Sequence, residues 1–445
     1  MSKKVKPEII LLSLIALNII LLLAIRFFPY PELFIYPYLK NAGFIPYKDI
    51  YDQHFPGLFF FPMNLGTLGI TNAFRARILH LGLVVTNQIL VFLYFKVGKK
   101  KYEYKYIWAN ALWMVWSVVF DGHILWIDSF VTTTMLASVV LLKSKEKSRM
   151  MLSFFLMGMM VTLKQTTILF PAATLMLLVR RHKLSELTSF AFFAAAPIVV
   201  MVLYIQKLGV IHEFVYWTYH FNSQVYAKMA GKLPSAYQII VTLPVLGLGI
   251  FSSFESIKNR KETLVPAFFL ISLVFAYPRF EPVHLSLSAV LAIILIVNTF
   301  CSKNYYHYLM LGLILMGALV YIRNHNHLST KSEQLNSRIV EKVAELTTDG
   351  EIIYAYAVNP NIYVKTKTLP IRPYFIHLPW YLKDYAIDVQ MELKHNPPQV
   401  VVRKQSATLD GTMISNYMTD INKDIDTRYY EIYEKDGVQI LKRNN

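Results

Sequence analysis

The sequence predicts an α-helical, polytopic membrane protein with a small α/β domain after its last span. Three observations predict it. Apolar segments recur up to about residue 322, each able to cross a ~30 Å hydrocarbon core, which takes about 20 helical residues. Only 16% of the 445 residues are charged and 55% are hydrophobic, with a mean hydropathy of +0.39; soluble domains run near ~25% charged. The formal charge of +17 is also unevenly spread. Residues 331–445 hold fifteen Lys/Arg and fifteen Asp/Glu, so thirty basic and thirteen acidic residues fall in 1–330. An excess of cations confined to the apolar part follows the positive-inside rule and argues against a nucleic-acid partner. Cys301 is the one cysteine, which excludes an internal disulfide and a zinc cluster built on thiolates.

The first element is "MSKKVKPEIILLSLIALNIILLLAIRFF". Its apolar stretch, Ile9 to Ile25, exceeds a usual signal-peptide core, and the bulky "RFFPYPE" stands where a small-residue cleavage site would be needed. It reads as an uncleaved first span, approximately 8–26. Ten more follow at approximately 75–97, 105–120, 124–142, 149–163, 166–180, 187–206, 236–254, 263–277, 284–301 and 305–322. The stretches 105–142 and 149–180 are each too long for one crossing, and are divided at "FDGH" and "LKQT". With the N-terminus inside, the inner segments carry 19 Lys/Arg and the longer outer segments nine. The asymmetry supports about eleven crossings, a cytoplasmic N-terminus and an extracytoplasmic C-terminus.

This topology places Glu32, Asp49, Asp52, His54, Asp121, His123, Asp128, Lys164, His220, Arg279, Glu281 and His284 mostly on the outer face. Ionisable groups at membrane depth are costly and mark function; solvation in loops is the plain alternative for any one of them. The first outer loop, 28–73, contains "GFIPYKDIYDQHFPG", in which Pro46, Pro56 and Gly57 fix turns. Asp49 and Asp52 are three apart. On a helical turn they would share a face and repel, raising one pKa, which suits a base or a metal site completed by His54. A helix-capping role for Asp52 is the alternative. Lys164 stands alone between apolar runs, placed either to snorkel or to hold a lipid phosphate. Arg77 and Arg279 have the fork for bidentate phosphate binding, with headgroup anchoring the alternative for Arg75 and Arg77. His220, in "YWTYHFNSQVY", belongs to an interfacial aromatic belt or to a sugar-stacking surface.

From 331 the pattern changes. "KSEQLNSRIVEKVAELTTDG" reads as an amphipathic helix ending at Gly350. "EIIYAYAV", "NIYVKT" and "QVVVRK" read as strands. In "YYEIYEKDGVQILKR", Asp436-Gly437 predicts a hairpin. Residues 331–445 are thus expected to form a soluble extracytoplasmic domain.

"PELFIYPYLKNAGFIPYKDIYDQHFPG" after a first span, then "FRARILHL", "WIDSFVTTTMLA", "GMMVTLKQTTILFPA", "WTYHFNSQVY" and "YPRFEPVHLSLSAVLAI", resemble in order and spacing the GT-C glycosyltransferases. The nearer relatives are the lipid A aminoarabinose transferases and protein O-mannosyltransferases. The resemblance covers most of 1–330. It implies GT-C architecture and transfer of a sugar from a polyprenyl-phosphate donor to a lipid, glycan or protein acceptor outside the cytoplasm. The family's first loop carries an acidic pair just after the first span. Here that position reads Pro31-Glu32, so Glu32 is the surviving carboxylate and Asp49 gains weight as the base. Asp128 matches an acidic residue at the outer end of a span, and Lys164 and Arg77 (or Arg75) match a lysine and an arginine suited to the donor phosphate; Arg279 joins them on its fork alone. His220 and Asp52 are expected at the substrate, and His54 falls where some relatives bind a divalent metal, the one cofactor raised. A polymerase of polyprenyl-linked glycans is the nearest rival chemistry. A transporter or flippase is the rival class, but no internal repeat or clear midplane charge is seen.

Overall fold

The computed structural model describes residues 6–96, 104–144, 146–259, 263–301, 303–329, 336–372 and 376–444. Helix α1 (Pro7–Ala24) leads to strand β1 (Phe28–Pro29) and α2 (Glu32–Asn41), which lie in the first loop. Next come α3 (Ala73–Lys96), α4 (Lys105–Val119), β2 (Ile124–Leu125), α5 (Ile127–Lys143) and α6 (Lys147–Leu163). A 3-10 turn (Gln165–Ile168) enters α7 (Leu169–Leu178), followed by α8 (Leu184–Leu208), α9 (Ile211–Val215), a π-helical stretch (Tyr216–Tyr226) and α10 (Ala227–Met229). The helical part closes with α11 (Ala236–Lys258), α12 (Leu264–Ser272), 3-10 turns Leu273–Ala276 and Pro282–Leu285, α13 (Ser286–Phe300) and α14 (Tyr306–Ser329).

Each of the eleven apolar segments is helical. Among the described residues, six helices are long and apolar enough to cross a membrane, and Gln165–Leu178 and Leu264–Ala276 are shorter apolar helices. Helices α4, α5 and α6 run 15, 17 and 17 residues. The expected breaks fall where the sequence placed them, at Phe120–Trp126 and at Lys164. Helix α13 is the central post. Nearly all its residues are buried, and it packs on α4, α5, α11 and α12. Small residues permit this. A Cβ on Gly249 of α11 would stand 2.6 Å from Ala292 Cβ of α13, the close backbone approach typical of membrane bundles.

The boundary expected at 330/331 lies outside the described residues, as do the inner-loop cations Lys99, Lys100, Lys101, Lys145, Arg260 and Lys261. Beyond it come α15 (Ser337–Leu346), β3 (Ile352–Tyr356), α16 (Asn361–Thr366), β4 (Leu369–Pro370), α17 (Pro379–His395) and β5 (Val400–Arg403). Then follow β6 (Thr408–Leu409), β7 (Thr412–Met413), α18 (Thr419–Arg428), β8 (Tyr429–Lys435) and β9 (Val438–Arg443). One sheet has the order β4-β3-β5-β9-β8, parallel through β4, β3 and β5 and antiparallel thereafter. The β8–β9 hairpin turns at Asp436 and Gly437, both with positive φ, the backbone that an Asp-Gly pair favours.

Three expectations are corrected. "NIYVKT" is helix α16, not a strand. Pro360 precedes it, Asn359 Oδ1 accepts from the Asn361 N–H at 3.0 Å, and Ile362, Tyr363 and Thr366 are buried with helical spacing. Tyr363 Oη then accepts from the Ala355 N–H at 2.9 Å, which locks the helix over β3. Helix α15 stops at Leu346 rather than Gly350. Asp49 and Asp52 do not share a helical face, because 47–54 is a loop that turns at Tyr47, φ +67°.

The domain after α14 docks on the loops of the helical part. Tyr38 Oη of α2 donates to Thr368 O at 3.0 Å. Tyr381 stacks on Phe221 at 5.2 Å, and Trp380 meets Tyr226 edge-on at 5.6 Å.

Candidate active site

Three helix breaks converge. Asp128 lies in the first turn of α5, where free backbone N–H groups favour a carboxylate. Lys164 is the residue between α6 and the following 3-10 turn. His284 sits in the 3-10 turn that enters α13. Lys164 Nζ donates to Asp128 Oδ1 at 2.6 Å, and His284 Nδ1 lies 2.9 Å from Asp128 Oδ2. The Asp128 side chain is only 3% exposed. Both of its oxygens are engaged, as a buried carboxylate requires. Bonding to the carboxylate assigns the proton to Nδ1 of His284 and leaves Nε2 facing Glu281, 3.8 Å away. Lys164 Nζ also lies 4.6 Å from the centre of the Phe275 ring, and an ammonium with three donors has capacity left for an anion.

The chain of charges continues outward. Glu281 pairs with Arg279 Nε, and Arg279 forks onto Asp410 of the docked domain, with Nη1 to Oδ2 at 2.9 Å and Nη2 to Oδ1.

The first loop is seated on the elements that carry this cluster. The Gly57 N–H donates to Thr162 O at 2.8 Å, and a Cβ at Gly57 would meet that oxygen at 2.4 Å. Gln53 O accepts from Gln165 Nε2 and Asn222 Nδ2. The Trp126 ring stands between Tyr30, at 4.3 Å, and His54, at 5.3 Å. Burial, and then the charges of Glu281, Glu32, Asp121 and Asp128, hold the Tyr30 phenol well above its ordinary range.

Glu32 opens α2. Its Oε2 is sealed from solvent and has no hydrogen-bond partner. Burial pushes its carboxyl up to about 7; a backbone hydrogen bond and His54 oppose the rise, and Asp52 adds to it. Asp121 is likewise pushed up to about 7 by burial and by Glu281. Asp52 is fully buried and grips His54, with Oδ1 2.8 Å from Nδ1 and 3.2 Å from the His54 backbone N.

Other expected site residues stand apart. Asp49 Oδ2 accepts from the Ile45 N–H at 2.9 Å and pairs with Arg372 at 3.5 Å, so its carboxylate serves the loop and the docked domain. Arg77 Nη2 donates to the carbonyls of Leu22, Leu23 and Ile25, closing the end of α1. His220 is exposed on the π-helical stretch, beside Tyr219. Among the described residues, no group of three or more His, Cys, Asp or Glu is placed to hold a metal, and His54 spends Nδ1 on Asp52. No ready-made ligand group for the divalent ion raised for His54 is therefore present among the described residues. His284, Glu281 and Asp410 are the members that the sequence did not assign. "PRFEPVHL" held the signal for two of them, since Glu281 and His284 are three apart.

No protein-family model matches the chain, and no curated protein matches it by sequence. Solved structures do. The crystal structure of ArnT from Cupriavidus metallidurans bound to undecaprenyl phosphate superposes with a TM-score of 0.63, covering 97% of each chain at 11% identity. The oligosaccharyltransferase from Archaeoglobus fulgidus, tethered to an acceptor peptide containing the NVT sequon, gives a TM-score of 0.52 at 9% identity, covering 98% of this chain and 74% of that one. At such identities the likeness is one of fold, and the fold of this chain is GT-C.

Proposed function

We propose that the chain is a multi-pass membrane glycosyltransferase that moves one sugar from a polyprenyl-phosphate donor to a lipid, glycan or protein acceptor at the extracytoplasmic face. The observation that carries this reading is the buried Asp128, which fixes Lys164 and His284 where three helix breaks meet; Glu32, with Oε2 buried and unpartnered, lies in the first loop. The ArnT structure that shares the fold was bound to undecaprenyl phosphate, a ligand of the class proposed for the donor.

The chemistry follows from these groups. A carboxylate takes the proton of the acceptor hydroxyl. That oxygen attacks the anomeric carbon, and the carbon–oxygen bond to phosphate breaks with its electron pair staying on the polyprenyl phosphate. Lys164 meets the charge that develops on the leaving phosphate, usually the larger contribution to rate. Asp128 orients Lys164 and, through His284, joins it to Glu281. Phosphate leaves without needing a proton, so one carboxylate suffices.

Glu32 is the better base than Asp49 in this reading. The Asp49 carboxylate is engaged by Ile45 and Arg372. Glu32 is unpartnered at Oε2 and sits near the operating pH, where a base is most effective. Asp52 and His54 position the loop beside it. Arg77 and His220 carry no step.

The test is turnover in nanodiscs with polyprenyl-phosphate sugars. Glu32→Gln is expected to lower turnover by ~10²-fold or more while donor affinity stays near wild type, the range of general-base help. Asp49→Asn is expected to retain most activity. The reverse pattern would return the base to Asp49, and transfer at full rate by both variants would remove the carboxylate mechanism.

A further inference from the structure

We infer that the outer edge of the Arg279 guanidinium is an exchangeable anion site, that Asp410 is its resting occupant, and that the phosphate of the lipid-linked donor displaces Asp410 and frees the hairpin bearing it. The inference rests on the donor class proposed above and adds a role for the docked domain.

Arg279 is only 12% exposed, and its two edges are used differently. Nε faces Glu281, which belongs to the same loop and leads through His284 to the buried cluster. Nη1 and Nη2 face Asp410, whose carboxylate arrives from another domain, 131 residues on. A two-oxygen fork on a guanidinium is the geometry by which arginine also binds phosphate. The Trp380 ring lies 5.7 Å from the guanidinium carbon and Ala230 O accepts from Nη1 at 3.3 Å, so the cation keeps its place whichever anion it carries.

The fork can carry one anion at a time. With Asp410 in place both Nη groups of Arg279 face a carboxylate, which opposes a phosphate there. With Asp410 gone, Arg279 has an open fork. No other member can leave as easily. Asp128 is buried, and Glu281 is tied to His284 and Arg279 in its own segment. Asp410 sits at the tip of β6 and β7, two strands of two residues each that form their own sheet apart from the five-stranded one. So short a hairpin has little stability of its own.

The experiment uses the full-length protein in nanodiscs with undecaprenyl phosphate as the probe. Affinity is measured for wild type, Asp410→Asn, Asp410→Gly and Lys164→Ala, and amide hydrogen exchange is followed across 406–414. Asp410→Gly suits the positive φ of +48° at this position and guards against a turn that fails to form. Removing the competitor is expected to tighten binding by about tenfold, since apparent affinity scales with the fraction of competent sites. In wild type the ligand is expected to speed exchange in 408–413; in both Asp410 variants exchange there is already fast. Equal affinity in wild type and both Asp410 variants, with binding lost in Lys164→Ala, overturns the exchange and leaves the donor reading standing. Absence of binding in every protein overturns the donor reading and the exchange with it. Faster hairpin exchange in the variants without tighter binding makes Asp410 a structural tie and overturns the proposal.

Discussion

Glu32 and Asp49 share one loop, yet their carboxylates meet different surroundings. Asp49 satisfies a backbone N–H and an exposed arginine; Glu32 Oε2 meets no donor. Burial raises the Glu32 carboxyl from 4.5 to about 7. Between those values the folded chain keeps a proton that the unfolded chain releases, so this residue's contribution to stability falls as pH rises through that window and is flat above it. The melting temperature of Glu32→Gln, relative to wild type, is therefore expected to rise between about pH 5 and about pH 8. With Glu32 as the proposed base, the same ionisation turns it on, so kcat/KM of the wild type should climb through an acid limb near 7. An unchanged melting difference, or an acid limb near 4.5, would show that Glu32 titrates like an exposed carboxylate. Single residues of the site were legible in the sequence because a charge is conspicuous in an apolar context: Asp128, Lys164 and Glu32 all stood out. Their partnerships were not. Asp128 meets Lys164 across 36 positions and His284 across 156, and no local pattern encodes such a meeting.

Breaks between helices, rather than the helices themselves, build the site. "FDGH" and "LKQT" were readable as breaks because polar residues and a glycine interrupt apolar runs that are too long for one crossing. The helix at "NIYVKT" was not, because β-branched and aromatic residues dominate a six-residue window and the deciding residues, Asn359 and Pro360, lie outside it. The inserted helix α2 also escaped, because its burial on all sides blurs any helical stripe. The join between the first loop and α6 offers a sharp test at Gly57. Its would-be Cβ faces a backbone oxygen, which cannot swing aside. Gly57→Ala should push the loop off Thr162, at a cost of about 1–3 kcal/mol for an overpacked contact. It should reduce turnover far more than donor affinity, since Lys164 and Asp128 stay in place while Glu32 and His54 shift with the loop. Gly82→Ala, with nothing within 4 Å of its Cβ, is the control and should leave both unchanged. Equal losses in the two variants would mean that the loop's seat on α6 has no part in catalysis.

The two ends of the bundle differ in chemistry, and the difference bears on which way the chain faces. Asp128 lies in the first turn of α5 and Lys143 ends it, about 22.5 Å away at 1.5 Å per residue. Lys143 Nζ donates to Tyr94 O near the end of α3, and Lys105 Nζ to Asn298 near the end of α13. Cations thus collect at the end of the bundle opposite the carboxylate cluster, the arrangement expected if the Lys143 end is cytoplasmic. The docked domain pairs with the other end through Arg279–Asp410 and Asp49–Arg372, so one orientation of the bundle sets both the site and this domain outside. The 19-to-nine split read from the sequence points the same way. It could not show that the domain meets the bundle at Arg279, because nothing in the chain's local pattern links residue 279 to residue 410. Orientation is testable in a Cys301→Ser background with an impermeant thiol reagent. Lys423→Cys, on the exposed face of α18, should label in intact cells, and Ser185→Cys, at the start of α8, only after permeabilisation. The reverse pattern would put the Asp128 cluster in the cytoplasm, out of reach of an extracytoplasmic acceptor. Labelling of both in intact cells would mean an odd number of crossings has been miscounted between residues 185 and 423. The outer assignment of Lys164 would then need its own cysteine.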